Sequence, residues 1–144
     1  MKKLITLLLA AFAFISCDET KKVIDVAGTV QLSGAYKVSS VNNNSISENA
    51  PTFNFYALDK TIKGNTGCNS FFGNYTLDLY AISFSHIGST EIACDPPIMD
   101  IEHAFLNALR NAGSYDLENS VLTIYSKADR SVLLVAIKDR AAEN

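Results

Sequence analysis

Polar and apolar positions alternate along most of this chain, and the pattern breaks in two places. Ala35 to Val41 alternates well enough for a first strand, and Thr52 to Leu58 puts Phe53, Phe55 and Ala57 on one face of a second. Asn42-Asn43-Asn44-Ser45 between them reads as a turn or exposed loop. Asp59-Lys60 makes a tight connection to a third strand opening at Thr61-Ile62-Lys63. Gly64-Asn65-Thr66-Gly67-Cys68-Asn69 is punctuation: glycine and asparagine tolerate positive φ, so a sharp turn or bulge belongs there. Asn69 to Leu77 then carries Phe71, Phe72 and Tyr75 around Gly73, and Ala81 to His86 places Ile82, Phe84 and His86 on one side.

The first break has a helical period. Ile98, Ile101, Phe105, Ala108, Leu109 and Ala112 recur every three or four residues after Asp95-Pro96-Pro97. Asp95 is placed to cap the first turn, the prolines fill positions whose N–H groups lack partners anyway, and Gly113 supplies a stop. Asp100 and Glu102 lie early and Arg110 late, as the helix dipole prefers. Tyr115–Leu117, Val121–Tyr125 and Ser131–Lys138 complete the strands, and Val132–Ile137 has no polar face, which predicts cover on both sides. Val23–Val30 reads as an extended lead-in. No repeat or second domain interrupts the series, and strands around a single helix predict an α+β fold with an antiparallel sheet.

The second break is the start of the chain. Met1-Lys2-Lys3 is positive, and Leu4 to Ile15 is an uncharged, mostly apolar run. A bilayer-spanning helix needs about 20 apolar residues, so this shorter run fits the apolar region of a signal peptide. It ends in Phe14-Ile15-Ser16-Cys17, which resembles a bacterial lipobox, with Phe14 where leucine is usual. In that pathway residues 1–16 are removed and the Cys17 thiol carries the lipid. Its acyl chains gain about 0.8 kcal/mol per buried CH₂, enough for durable attachment. The alternative is an ordinary secretory signal with an incidental cysteine. The expected organisation is a signal peptide (1–16), a lipidated N-terminus and tether (17–33), one domain (34–138) and a tail (139–144). The expected location is the envelope of a Gram-negative bacterium, lipid-anchored, at the outer membrane on its periplasmic or surface face.

At 144 residues, 48% hydrophobic, the chain suits one domain with a proper core. The net charge of −3 and the scattered lysines and arginines leave no basic stripe for phosphates, so no nucleic-acid partner is expected. With Cys17 committed to lipid, Cys68 and Cys94 remain. In an exported protein they most economically form a disulfide, closing a loop of about 25 residues and contributing roughly 3–4 kcal/mol. Two buried free thiols, or a redox or nucleophilic role, are the alternatives. Two cysteines and two scattered histidines, His86 and His103, lack metal-ligand spacing, and neither a metal nor another cofactor is expected.

Several motifs carry a family resemblance. Gly64 to Tyr75 resembles the G-x-x-GCN-x-F-x-G-x-Y stretch of the META domain, the HslJ-like family. Thr90 to Cys94 is similar to its T-x-M-A-C segment, with Ile92 in place of methionine, and Met99 to Leu109 to its M-x-x-E-x-x-F-x-x-A-L helix. Phe53-Asn54-Phe55 and Val121–Ile124 match its flanking strands. The match runs from about Gly34 to Lys138, with Tyr36 standing where the family often has tryptophan. The resemblance implies a curved, barrel-like antiparallel sheet with one helix packed across it, an envelope setting and a link to stress tolerance, without an established chemistry. It marks Gly64, Gly67, Asn69, Phe71, Gly73, Tyr75, Thr90 and Glu102 as motif positions, structural or binding.

A glycine-rich backbone cradle for an anion is one use of Gly64–Asn69, but the following lysine of a phosphate-binding loop is missing. The bland reading is a turn, a disulfide and Asn69 bonding nearby backbone, with Phe71, Phe72 and Tyr75 in core or rim packing and Glu102 anchoring a loop. Three classes of function follow. The leading one is a non-catalytic envelope lipoprotein that supports stress tolerance by contacting another envelope protein or peptidoglycan-associated machinery. The second is a binding module for a small apolar molecule or peptide between strand and helix. The third is a thiol enzyme with Cys68 as nucleophile and a histidine as base.

Overall fold

The computed structural model describes residues 17–139, so the segment expected to be a signal peptide (1–16) and residues 140–144 lie outside it. Nine strands and two helices follow in order: α1 (Cys17–Leu32), β1 (Gly34–Val41), β2 (Asn44–Ser45), β3 (Thr52–Tyr56), β4 (Thr61–Asn65), β5 (Ser70–Asp78), β6 (Ala81–Ser89), α2 (Pro96–Arg110), β7 (Ala112–Glu118), β8 (Val121–Ser126) and β9 (Val132–Asp139). Successive strands pair antiparallel from β3 to β9, and β1 pairs with both β3 and β9. That last pairing, from Ala35↔Asp139 to Val41↔Leu134, closes eight strands into a barrel. Closure removes the exposed strand edges of an open sheet. The short β2 folds back on β1 through Asn42-Asn43, both at positive φ.

Alternation decides which side chains face inward. In β5, Phe71, Gly73, Tyr75 and Leu77 are buried while the residues between them are exposed. The interior is an aromatic stack: Tyr36 lies on Phe53 at 5.4 Å between ring centroids, Phe53 meets Phe55 edge-on at 5.5 Å, and Phe55 meets Tyr75 at 4.9 Å. Phe105 of α2, fully buried, joins them from one end, 5.1 Å from Phe71 and 6.0 Å from Phe53. The buried Tyr36 phenol donates to the Leu32 carbonyl at 2.9 Å.

Several local expectations are corrected. Residues 23–30 are helical, not extended, and Leu32 at the end of α1 is wholly buried, plugging one end of the barrel. A free strand there would lack a partner, because β1 already pairs on both sides. Asp95 makes no side-chain cap. Pro96 and Pro97 offer no N–H, so the Asp95 carbonyl accepts from Ile98 and Met99 at 2.9 and 3.1 Å. Gly113 does not stop α2: the cap is Asn111, and Gly113 lies in β7, where a Cβ would sit 2.5 Å from Lys127 Cα. His86 leaves the Ile82–Phe84 face. It sits exposed at φ 52°, opposite a register shift at Gly73, and Ile87 packs on the core instead. Along β9, Leu134 and Ala136 are buried but Ile137 is 53% exposed, so only one face is fully covered.

Candidate functional site

The β4–β5 turn, the segment after β6 and helix α2 converge at the barrel end opposite α1. The turn is built by its own residues: Thr66 N–H donates to the Asn69 carbonyl at 2.8 Å, and Asn69 N–H to Thr66 Oγ1 at 2.9 Å. Gly67 holds φ +101°, and a Cβ there would lie 2.3 Å from the Asn49 carbonyl oxygen, so a side chain is refused twice over. Gly64 faces Phe53 in register, with a would-be Cβ 2.0 Å from the Thr52 carbonyl oxygen.

Into this turn α2 inserts Glu102, 4% exposed. Thr66 Oγ1 donates to Glu102 Oε2. Asn69 donates to the same carboxyl from its backbone N–H at 3.2 Å and from its amide nitrogen at 3.0–3.1 Å. The other side of Asn69 holds the strand that leaves β6: its Oδ1 accepts from Ile92 N–H at 2.8 Å and Thr90 Oγ1 at 2.7 Å, and its Nδ2 donates to the Ile92 carbonyl at 3.0 Å. Asn69 thus mimics a strand partner for Ile92 while fastening the helix. The Cys68–Cys94 disulfide, Cα atoms 6.1 Å apart, ties the same turn to the start of α2. Among the described residues no buried side-chain nitrogen or oxygen lacks a hydrogen-bond partner.

The structure therefore gathers Asn69, Thr90, Glu102, Cys68 and Cys94 into one cluster, while Phe71 and Tyr75 go to the core and Gly73 to the β5–β6 bulge. Glu102 does anchor a loop, and neither it nor Asp100 lies in the first turn of α2, where the helix dipole would act on it. Thr66 is the member that sequence reading passed over, although it is fully buried. Its signal was slight: it is the only hydroxyl residue between Gly64 and Asn69. Cys17 opens α1, far along the chain from this cluster.

Beside the network lies an open cleft of about 800 Å³ between α2 and residues 89–93. Ile92, Met99 and Leu106 supply its apolar walls, with His103 and Arg110 on the helix side. Both histidines are exposed, and the Cys68 sulfur is bonded to Cys94. Among the described residues, no three His, Cys, Asp or Glu side chains are grouped to hold a metal ion. No described helix is long and apolar enough to cross a membrane.

A closed antiparallel barrel with a helix pinned across one end through a buried carboxyl defines the class of this domain. Residues 29–139 match the model of the META domain, and the chain belongs to that family. The matched span begins inside α1, so the Leu32 plug is part of the domain. A protein from Burkholderia xenovorans solved by NMR has the same fold, with a TM-score of 0.63 at 22% identity over 80% of this chain and 88% of that one. A second NMR structure gives 0.62 at 22% identity, covering 76% of this chain and 93% of its own. A crystal structure of a DUF4847 family protein from Bacteroides vulgatus gives 0.57 at 14% identity, covering 79% and 98%. No curated protein matches the chain.

Proposed function

We propose that the chain is a non-catalytic envelope lipoprotein, anchored through Cys17 in the outer membrane, whose META domain supports envelope stress tolerance through contacts with other proteins. The observation that carries this reading is the cysteine pattern. One cysteine stands directly after a signal-like segment, and the other two are joined in a disulfide suited to an oxidising compartment. A structural role for the motif residues supports it further. Asn69, Thr66 and Glu102 spend their hydrogen bonds on one another, on Thr90 and on backbone, which leaves no poised acid, base or nucleophile among them.

A second reading is favoured by the cleft between α2 and residues 89–93, whose apolar walls and few polar groups suit a small apolar ligand or peptide. Native mass spectrometry of the protein extracted from its own membrane in mild detergent tests both. Acyl mass at Cys17, with a subunit or no ligand attached, supports the leading reading. A reproducible small-molecule mass that leaves on denaturation moves the assignment to the cleft. A protein without acyl mass overturns the anchor.

A further inference from the structure

The barrel has two unlike ends, and register assigns residues to them. Gly34 pairs with Phe55 and Tyr56 with Thr61, so the β3–β4 tip lies at the end where α1 enters β1. The β5–β6 tip lies there too, since Thr61 pairs with Asn74, Asp78 pairs with Ala81 across that tip, and a Cβ added at Gly28 of α1 would meet Leu77 at 3.7 Å. Among the described residues, most large apolar side chains that stay exposed sit at this end or on α1, and only Phe72 and Ile92 lie away from it. Leu58 at the first tip is completely exposed and Tyr80 at the second is 77% exposed. Near the same end the paired residues Val121 and Ile137 present a further apolar spot. On α1 itself, Val23, Val26 and Val30 form one outward stripe, on the helix side away from buried Thr29 and Leu32.

A soluble surface seldom concentrates apolar tips at one pole. Cys17, the residue read above as lipidated, is the first residue of α1, and the helix runs about 22 Å from there to Leu32 at 1.5 Å per residue. Acyl chains on Cys17 therefore hold this pole, and no other, within reach of the bilayer. We propose that the α1 pole of the barrel docks on the membrane surface: the valine stripe lies in the interface and the Leu58 and Tyr80 tips dip into it, leaving the α2 pole and its cleft facing away. Leucine and tyrosine at protruding tips suit the boundary between headgroups and acyl chains, where one end of the side chain is apolar and the other wet. The pole carries Asp59, Lys60, Asp78 and Glu118 together, a mixture of signs that calls for no anionic lipid.

This docking rests on the Cys17 anchor, and the test separates the two. The chain has no tryptophan, so one introduced indole reports alone. Full-length acylated protein carrying Tyr80→Trp, or separately Ile92→Trp at the far pole, is reconstituted into phosphatidylcholine vesicles, plain or brominated near the top of the acyl chains. An interfacial residue sits about 5–10 Å into the headgroup and acyl boundary, within contact of those bromines. The expected result is a blue shift and marked loss of emission for Tyr80→Trp in brominated vesicles, and neither for Ile92→Trp. Equal emission of Tyr80→Trp in both vesicle types, on protein whose mass includes the acyl chains, overturns the docking and leaves the anchor standing. A mass without acyl chains overturns both. Quenching of the two variants alike overturns the orientation. A concentration-dependent blue shift of Tyr80→Trp in detergent alone assigns the pole to a second copy of the chain instead.

Discussion

At one end of the barrel α2 is held by a carboxyl, an amide, a hydroxyl and a disulfide; at the other, α1 is held mainly by burial of Leu32 and Thr29, with the Tyr36 phenol and the Lys138 ammonium donating to its last carbonyls. The polar end is specific in a way the apolar end is not. Glu102 satisfies donors from two residues of one turn, so only one placement of helix against turn leaves no buried group unpaired. Leu32 needs only an apolar hole of suitable volume. A specific lock suits the end that bears the cleft and the family motifs. A tolerant plug suits the end assigned to a fluid membrane surface.

The comparison breaks first at Glu102. Glu102→Ala strips the acceptor from buried donors of Thr66 and Asn69 and is expected to cost about 4 kcal/mol, since bonds to a carboxyl are worth more than neutral ones and orphaned donors add to the loss. Glu102→Gln recovers little of it, because its NH₂ faces donors. Urea midpoints of both variants check this, and a midpoint shift near zero for Glu102→Ala would show that the network is ornamental. Adding Thr66→Val to Glu102→Ala costs less than the two separately, because the residues form one network.

Removing the disulfide with Cys68→Ser and Cys94→Ser lowers stability by about 3 kcal/mol through the freed loop, read by the same denaturation under reducing and oxidising conditions. At the apolar end, Leu32→Ala costs roughly 3 kcal/mol from lost burial and the cavity left behind, and calorimetry reports it as a lower midpoint. Tyr36→Phe removes the bond to the Leu32 carbonyl and costs about 1 kcal/mol. If Tyr36→Phe proved worse than Leu32→Ala, the end would be held by its polar bond and the contrast would fail.

The smallest effect at neutral pH concerns Tyr75. Burial, and next the charge of Asp59 and then Tyr115, push its phenol up from 10 to about 12. The folded state therefore keeps the proton where the unfolded chain releases it. Stability from this group is intact below pH 10 and falls away as pH rises from about 10 to 12. The urea midpoint of Tyr75→Phe, measured over that range, declines less steeply than that of the unaltered protein.

Much of this was legible along the chain. Period-two alternation located the barrel strands, because each has one face in the core, and the three-to-four spacing of Ile98, Ile101, Phe105 and Leu109 located α2, because it too buries one stripe. The cysteine pair needed only a count. The site was half legible: Asn69, Thr90 and Glu102 stood out as motif positions, yet nothing local shows that they meet. Glu102 carries the same residue type as any solvated helix position, and Thr66 passes for an ordinary turn residue.

Only the tertiary structure decided the rest, and the reason is sequence distance. The β1–β9 pairing joins residues about a hundred positions apart, and neither strand's pattern names its partner. Residues 23–30 have enough valine for a strand, but with β1 paired on both sides no edge was free, and helix was the remaining way to satisfy the backbone. The positive φ at His86 follows from a register shift set by its neighbour strand. Local patterning determines which faces are apolar; which faces meet, and which polar groups they trap, is settled by closure of the barrel.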